Sequence, residues 1–419
     1  MVVTGVGAIS PFGQGAQTAV DGAFAGVSAI GPIRRFDASG FPTTFAAEAQ
    51  ELDPDPYLKG DHRRLRDLVD RKTGWALAAA AEAMEQAGLA AGDCEPERIG
   101  VAMGTEAGRP DLVQTAWEYL RFQQNPDPQT AFEAVDPLEL VRKTPNLVAS
   151  ILATIYDACG PNLTVSTACT SSAQSVGEGL LRIRRGEADV MIAGGADCLV
   201  DPFMVAGFSL LGALSMNNDD AARASRPFDK ERDGFVLGEG AGILVLEAEE
   251  RALARGATPL CELAGFGSTL SAYRITDSPP DGSGAYESML LALRDAGVEP
   301  ADVDYVNAHG TSTEMNDASE SAAVRRLFGY SAPPVSSTKS CMGHLIAACG
   351  AVEGMVCIEA IRIGMVPPTA HYSVPDPACD IDPVPNEARP ASVRVAISNS
   401  FGFGGSNGTL VFRRWEPRA

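Results

Sequence analysis

Short apolar runs alternate along the chain with longer stretches of helical periodicity. Residues 2–9, 99–103 and 190–194 are apolar runs of strand length, and the first of them stops before Pro11. Residues 75–87 carry apolar side chains at helical spacing, and a glycine follows them. Strands that are apolar on both faces are typical of a sheet covered by helices on both sides. The pattern therefore predicts an α/β fold.

The pattern restarts near residue 250, and the second half repeats the first. Residues 290–306 repeat the helix, glycine and strand of residues 76–103, and residues 343–397 repeat the helix and strand of residues 163–194. This correspondence indicates an internal duplication. We therefore expect two α/β halves related by a pseudo-twofold axis. The halves are residues 1–256 and 257–419.

Composition places the chain among globular proteins and excludes some functions. Its 419 residues, 45% of them hydrophobic, are enough to bury a large core. The formal net charge of −21 argues against binding of nucleic acid. The nine cysteines include no CxxC pair, which favours a reduced, cytoplasmic compartment. No basic segment precedes the first apolar residues and no apolar stretch is long enough to span a membrane, so we expect neither a signal peptide nor membrane association.

One cysteine stands where a predicted strand gives way to a predicted helix. β-Branched residues precede Cys169, small polar residues follow it, and apolar positions at helical spacing then continue to about Arg185. At a helix N-terminus, unpaired N–H groups and the helix dipole favour the thiolate over the thiol. Cys169 is therefore a candidate nucleophile. The alternative is a small buried thiol without a chemical role.

Two of the four histidines stand at matching places in the second half. His309 follows the predicted strand at residues 303–306, and His344 opens the helix that repeats the cysteine helix. Ligands of open α/β sheets bind beyond the carboxyl ends of the strands. We therefore expect Cys169, His309 and His344 to meet in one pocket, although either histidine alone could be structural. The other two histidines lie in polar segments and are assigned no role.

These residues lie in motifs that resemble the active site of the β-ketoacyl-acyl-carrier-protein synthases. They are the condensing enzymes of type II fatty-acid and polyketide synthesis, in the thiolase-fold superfamily. The resemblance covers nearly the whole chain. Its motifs are residues 167–172, 226–242, 309–313, 337–340, 343–344 and 399–407. It implies a thiolase-like five-layered αβαβα fold made of two duplicated halves, and a catalytic triad of Cys169, His309 and His344.

The resemblance also implies a reaction and its partners. An acyl group would pass from acyl carrier protein to Cys169 and condense with malonyl-acyl-carrier-protein, with loss of CO2. The substrates arrive on the phosphopantetheine arm of the carrier, so neither a cofactor nor a metal is implied. The chain is expected to form a homodimer, or a heterodimer with a ketosynthase-like chain-length factor. The acyl chain length and the pathway, fatty-acid or polyketide, stay open.

The chemistry explains why these residue types are needed. Transfer of an acyl group from one thiol to another has a free-energy change near zero, which suits a cysteine as the acceptor. Decarboxylation of a malonyl thioester builds negative charge on the thioester oxygen, which N–H groups of His309 and His344 would stabilise. The oxyanion of the condensation step needs a second set of donors. The candidates are the N–H of Cys169 and one within residues 401–405.

Three pairs of residues are implied by the resemblance to support the triad. Phe401 and Phe403 are expected at the oxyanion hole and gate of the acyl pocket. Lys339 and Glu353 are expected to form a buried charged pair that positions His344. Thr311 and Thr313 belong to the motif of His309. The alternative for the charged pair is a surface ion pair.

Three positions depart from the usual pattern of the family. Glu314 replaces a proline, Met342 a threonine and Cys349 a small alanine. None of them removes a catalytic group, but they leave the lining of the pocket open. Cys349 also lies eight residues from each of two other cysteines, a spacing that fits no zinc signature. We therefore expect these cysteines to pack in the core.

A local basic cluster is the candidate docking site for the acidic carrier. Residues 61–72 have a basic excess although the whole chain is acidic. By resemblance, the corresponding helix start contacts the carrier in related synthases. The expected docking residues are Arg63, Arg64, Arg66, Arg71 and Lys72. The alternative is a solvated helix face.

Three other functions compete with condensation. A non-catalytic partner subunit, such as a chain-length factor, resembles the family but lacks the nucleophile that Cys169 provides. A thiolase acting on coenzyme A esters uses a second cysteine with one histidine. A Cys-His hydrolase would leave His344 without a role.

Overall fold

The computed structural model describes residues 1–90, 92–106, 120, 123–124, 137–142 and 144–417. The polar segment 122–137, for which the sequence predicts an excursion over the surface or over a pocket, lies mostly outside the described residues. Among the described residues, no helix is both long and apolar enough to cross a membrane.

Strands and helices alternate along the described chain. The strands are β1 Val2–Ser10, β2 Gly13–Gln14, β3 Gly31–Pro32, β4 Phe45–Ala46, β5 Ile99–Gly104, β6 Asn162–Val165, β7 Val190–Asp197, β8 Gly240–Glu247, β9 Cys261–Leu270, β10 Tyr305–Asn307, β11 Val335–Ser336, β12 Met365–Val366, β13 Arg389–Pro390, β14 Val395–Phe401 and β15 Ser406–Arg413. The α-helices are α1 Ala16–Ala25, α2 Arg71–Ala87, α3 Pro137–Arg142, α4 Leu147–Ile155, α5 Ser171–Arg184, α6 Pro202–Leu210, α7 Glu249–Ala254, α8 Ser283–Ala296, α9 Glu314–Phe328, α10 Lys339–Met342 and α11 Cys349–Ile363.

The two halves repeat one strand order within a single sheet. From edge to edge the order is β11-β10-β14-β15-β9-β1-β8-β7-β5-β6, and β2 pairs with β1. Each half contributes five described strands to this order. Outward from the antiparallel contact of β9 with β1, these five are, numbered along the chain within their half, the first, fifth, fourth, second and third. The predicted duplication within an α/β fold is confirmed. The boundary after residue 256 falls between α7 and β9 and stays a prediction.

Helices form three layers, separated by the strands of the two halves, which make up two layers of this continuous sheet. α5 and α11 pack against each other between the strands of the two halves, α2 and α4 cover the first half, and α8 with α9 covers the second. The expected five-layered αβαβα arrangement is confirmed. Because α11 lies in the central layer, it is buried at nearly every position. Gly350 permits the close approach of α5, since a Cβ there would lie 2.7 Å from the side chain of Ala173.

One helix boundary at the centre of the molecule differs from the sequence prediction. His344 does not open a helix, because α11 begins at Cys349 after a 3₁₀ turn over Ile346–Ala348. The N–H of His344 instead donates to the carbonyl of Val236 at 2.7 Å, in an isolated β-bridge. The chain is therefore extended at His344, and the helical pattern takes over only after the turn.

Candidate active site

A 3₁₀ turn precedes each of the two central helices. Ala168–Thr170 leads into α5, and Ile346–Ala348 leads into α11. The first residue of each turn has a positive φ, 53° at Ala168 and 48° at Ile346. Such a conformation is costly for a residue with a side chain and is held by the surrounding structure. The pseudo-twofold thus brings two strained turns together at the centre of the molecule.

Cys169, His309 and His344 form one buried cluster beside these turns. The Sγ atom of Cys169 lies 3.0 Å from Nε2 of His344. The rings of the two histidines have centroids 5.3 Å apart and an interplanar angle of 81°. One ligand atom of each of the three residues lies within 4.8 Å of the other two. The structure brings the three residues together, while their catalytic roles stay a proposal.

The ring of His344 is held in one orientation and one tautomer. Its backbone is fixed by the β-bridge to Leu237, in which its N–H donates to the carbonyl of Val236, and the ring of Phe235 packs edge-on against its ring at 5.3 Å. The N–H of Ile346 donates to Nδ1 at 3.2 Å. A nitrogen that accepts a hydrogen bond carries no proton, so the proton of a neutral imidazole lies on Nε2. This N–H faces Cys169.

His309 is held mainly through its backbone. Its N–H donates to Oε1 of Glu320 at 2.9 Å, and the N–H of Gly310 donates to Oε2 at 2.8 Å. The side chain of Asn399 donates to the same carboxyl group at 3.1 Å. Burial raises the pKa of Glu320 to about 7, although these donors lower it. Among the described residues, Nδ1 of His309 has no hydrogen-bond partner, so the contacts leave its tautomer free.

Both imidazoles are neutral near pH 7. Burial lowers the pKa of His309 and of His344 well below the ordinary value, and the charge of Lys339 lowers both further. Burial also lowers the pKa of Lys339, but Glu353, Cys349 and Glu320 together raise it by more, so Lys339 keeps its charge. The side chains of this pair are 1% and 2% exposed, which excludes a surface ion pair. The pair therefore acts on the histidines through its electric field.

The environment of Cys169 corrects the expected thiolate. Burial raises the pKa of Cys169 to about 12, although the charge of Lys339 and hydrogen bonds from the N–H groups of Phe403 and Cys169 itself lower it. Loss of water thus outweighs the helix N-terminus, and the free site holds a neutral thiol. The same two N–H groups are therefore the candidate donors to the oxygen of a bound acyl group.

A cavity of about 410 Å³ opens onto this cluster. The hydroxyl groups of Thr311 and Thr313 lie 2.9 Å apart on its wall, and the ring of Phe403 packs near Phe208 at 6.3 Å. Arg232 donates to the carbonyl of Glu314 at 2.9 Å, which fixes the loop after Thr313. Predicted site residues that line the cavity are Cys169, His309, Thr311, Thr313, His344, Phe401 and Phe403.

Part of the basic cluster is exposed. Arg63 and Arg64, which the sequence predicts as docking residues, lie exposed on a 3₁₀ helix over Gly60–Leu68. Arg66 is also exposed, but it forms an ion pair with Asp55 at 2.6 Å. The charges of Arg63 and Arg64 are therefore the most accessible of the cluster.

The other two members of the cluster, Arg71 and Lys72, bind groups inside the protein. Arg71 donates to the buried carboxyl group of Glu239 at 3.1 Å. Lys72 is 5% exposed, because its Nζ donates to the carbonyl of Glu106 inside the protein. A docking role for Lys72 is therefore wrong, since a buried ammonium group cannot meet a partner surface. Arg71 is tied to its carboxylate partner and is a weak candidate.

Sequence reasoning missed the groups that orient the triad. Glu320 holds the backbone at His309, and an acidic residue on the buried side of α9 is the signal that could have revealed it. Ile346 orients His344 through a backbone N–H, for which the side-chain sequence carries no signal. Phe235 lies within the motif at residues 226–242, but its contact with His344 depends on the tertiary fold.

The chain matches two family models over most of its length. Residues 1–252 match the β-ketoacyl synthase N-terminal domain, and residues 260–373 match the β-ketoacyl synthase C-terminal domain. A similar protein is the 3-oxoacyl-[acyl-carrier-protein] synthase 2 of Coxiella burnetii. It is 41% identical over 416 residues, which cover 99% of this chain and 98% of the relative.

Solved structures of ketosynthases share this fold. The ishigamide ketosynthase/chain length factor has a TM-score of 0.88 at 37% identity. A ketosynthase of a type II PKS, bound to the hexaketide and in complex with its acyl-carrier protein, has a TM-score of 0.87 at 32% identity. Each comparison covers 99% of both chains. The expected thiolase-like fold is confirmed, and the chain belongs to the β-ketoacyl synthase family.

Proposed function

We propose that the chain catalyses a decarboxylative Claisen condensation. An acyl group on Cys169 reacts with malonyl-acyl-carrier-protein to give β-ketoacyl-acyl-carrier-protein and CO2. One observation carries the proposal: a thiol, two neutral imidazoles and two backbone N–H groups converge on one cavity. These groups supply a nucleophile and donors for two separate oxyanions.

Acyl transfer is the first step. The sulfur of Cys169 attacks the carbonyl of the acyl thioester, the bond to the phosphopantetheine sulfur breaks, and the proton of the Cys169 thiol passes to the leaving sulfur. The N–H groups of Cys169 and Phe403 hold the oxyanion that forms on the way. One thiol replaces another, so the step needs no other reactant.

Decarboxylation is the second step. The malonyl thioester places its thioester oxygen near Nε2 of His309 and of His344. When CO2 leaves, the electron pair of the broken C–C bond forms an enolate, and the two N–H groups stabilise the negative oxygen. Because burial and Lys339 keep both imidazoles neutral, neither forms an ion pair with the malonyl carboxylate that would resist its loss.

Condensation is the third step. The enolate carbon attacks the carbonyl carbon of the acyl-Cys169 thioester and forms the new C–C bond. The N–H groups of Cys169 and Phe403 hold the tetrahedral oxyanion a second time. When the oxyanion collapses, the bond to Sγ breaks and the released thiolate takes a proton from solvent. The product leaves on the carrier.

The proposal includes acyl carrier protein as the partner that delivers both substrates. A ketosynthase of similar structure is in complex with its acyl-carrier protein. The exposed Arg63 and Arg64 would steer the acidic carrier, and the hydroxyl groups of Thr311 and Thr313 on the cavity wall would contact the phosphopantetheine arm. No cofactor is needed for these steps.

We also propose that a second chain pairs with the edge strand β6. Among the described strands, β6 ends the sheet and pairs only with β5. An open edge of this kind can pair with another chain. The second chain is either another copy or a chain-length factor, as in the ishigamide ketosynthase/chain length factor. A cytoplasmic location stays a prediction.

Two competing functions fit the site less well. A chain-length factor has no use for a thiol held 3.0 Å from an imidazole N–H. A thiolase needs a second cysteine in the pocket, yet Cys349 contacts Nδ1 on the far side of the His344 ring and does not line the cavity.

The intact mass of the protein after incubation with acyl carrier thioesters tests the proposal. We expect the mass of one acyl group to appear on the wild type and to disappear after addition of malonyl-acyl-carrier-protein. The acyl mass should be absent from Cys169→Ala. An acyl adduct that persists in Cys169→Ala, or that malonyl carrier cannot remove from the wild type, would contradict the proposal.

A further inference from the structure

Cys349 lies against the catalytic imidazole on the side away from Cys169. Its Sγ atom is 3.1 Å from Nδ1 of His344, and the residue is 2% exposed. The position departs from the usual small alanine of the family, and the three proposed steps give it no role. Its contact is nevertheless with the ring that faces the nucleophile.

The duplication shows what a side chain at this position does. Cys349 is the first residue of α11, and its counterpart Ser171 is the first residue of α5. Ser171 Oγ accepts from the N–H of Thr167 at 2.9 Å and donates to the carbonyl of Ala168 at 2.7 Å. The N–H of Leu345 takes the corresponding place at Cys349, where it lowers the pKa of the thiol. Each side chain thus closes the turn before its helix and has one proton to donate.

The donors already present at Nδ1 of His344 decide which atom donates in its contact with Cys349. Nδ1 already accepts from the N–H of Ile346, so it carries no proton and cannot donate to sulfur. The S–H of Cys349 must therefore donate to Nδ1. Burial raises the pKa of Cys349 well above its ordinary value, although the charge of Lys339 lowers it, so the thiol keeps its proton.

We propose that Cys349 is a positioning residue that donates its S–H to Nδ1 of His344 and so holds the ring as the Nε2–H tautomer. Two donors at Nδ1 oppose its protonation more strongly than one. They also draw electron density from the ring, which makes Nε2–H a better donor to the enolate oxygen. The inference rests on the proposed function only where it concerns the rate of decarboxylation.

Three variants separate this role from simple packing. Cys349→Ala removes the donor, and Cys349→Ser keeps a donor of similar size. Cys357→Ala is a matched control, because Cys357 is a buried cysteine of the same helix whose sulfur lies 3.8 Å from the carbonyl of Ile397, not against a histidine. The quantities to compare are malonyl-carrier decarboxylation, acylation of Cys169 and the NMR spectrum of ¹⁵N-labelled histidine.

We expect Cys349→Ala to slow decarboxylation by about threefold to tenfold, the range for loss of one modest hydrogen bond. Acylation of Cys169 should stay within about twofold, and both Cys349→Ser and Cys357→Ala should decarboxylate within about twofold of the wild type. With only four histidines in the chain, the ring nitrogens of His344 can be assigned. The wild type should show the Nε2–H tautomer, and Cys349→Ala should keep it through the N–H of Ile346 but show an Nδ1 resonance shifted by the loss of one donor.

Two results would overturn the inference. One is an unchanged Nδ1 resonance and decarboxylation rate in Cys349→Ala, and the other is a Cys349→Ser variant as slow as Cys349→Ala. A wild type that never decarboxylates malonyl carrier would contradict the proposed function instead. In that case the histidine spectrum still decides whether Cys349 donates to Nδ1 of His344.

Discussion

Nε2 of His344 lies 3.0 Å from the sulfur of Cys169 and already carries a proton, because Nδ1 of the same ring accepts from Ile346. Nε2 can therefore donate to the sulfur but cannot take the thiol proton. In acyl transfer, that proton goes to the departing thiol of the carrier. The histidines are thus needed for decarboxylation more than for acyl transfer.

We first expect His309→Ala and His344→Ala to separate these two steps. Each variant loses one donor to the enolate oxygen, so malonyl decarboxylation should fall by about 10²-fold to 10³-fold, as for loss of an oxyanion-hole donor. Both variants should still acylate Cys169, as the intact mass will show. Decarboxylation at the wild-type rate in either variant would remove that histidine from the mechanism.

The raised pKa of Cys169 sets the pH dependence of its alkylation. Below a pKa of about 12, the thiolate fraction grows about tenfold with each pH unit. The rate of alkylation by iodoacetamide should therefore rise steadily between about pH 7 and about pH 9, without a plateau. The exposed Cys159 also reacts, so the rate in Cys169→Ala is subtracted. A plateau below pH 8 would mean that the helix N-terminus outweighs burial.

The charge of Lys339 should be visible in the titration of the histidines. This charge lowers the pKa of both His309 and His344, so its removal should raise both. The double variant Lys339→Met with Glu353→Gln removes the charge without leaving a buried carboxylate unpaired. Cys357→Ala changes a buried residue of the same helix as Glu353, leaves the ion pair in place and is the control. Unchanged histidine pKa values in the double variant, measured by NMR, would show that burial alone keeps the rings neutral.

Carrier docking can now be tested on the exposed part of the basic cluster. Arg63→Glu combined with Arg64→Glu should raise KM for carrier-bound substrate several-fold, since charge steers the encounter. Turnover of a small thioester without the carrier should stay within about twofold. The matched control reverses Arg185 and Arg294, two exposed arginines outside the cluster, and so changes the net charge equally.

Two outcomes bear directly on this docking site. If the control pair raises KM as much as the cluster pair, only net charge matters and no local site exists. If neither pair changes KM, the carrier docks elsewhere. Arg71 is unsuitable for such a test, because its reversal would remove one of the two arginine partners of the buried Glu239 and place a second carboxylate beside it.

The sequence predicts the fold and the meeting of the triad because both depend on local patterns that recur. Buried strands, the duplication and the turn before Cys169 all appear as runs of residue types. The order of motifs then brings His309 and His344 to equivalent strand ends. These features need no knowledge of which side chains touch.

Burial and backbone contacts explain what the sequence could not predict. The helix N-terminus at Cys169 suggests a thiolate, but the depth of the site reverses that inference. Lys72 belongs to a basic run, yet its place on α2 turns it inward to the carbonyl of Glu106. The chain at His344 is held in a β-bridge to Leu237, so the helix begins only after the following turn. Each difference depends on contacts between segments far apart in sequence.

The most direct test of the central claim is condensation followed on the carrier itself. The enzyme is incubated with an acyl carrier thioester and with malonyl-acyl-carrier-protein labelled in its free carboxyl carbon, and both carrier and gas are analysed by mass spectrometry. We expect the label to leave wholly as CO2 and a β-ketoacyl group to appear on the malonyl-derived carrier, with no such product from Cys169→Ala. Formation of the β-ketoacyl carrier by Cys169→Ala, or its absence with the wild type, would contradict the account.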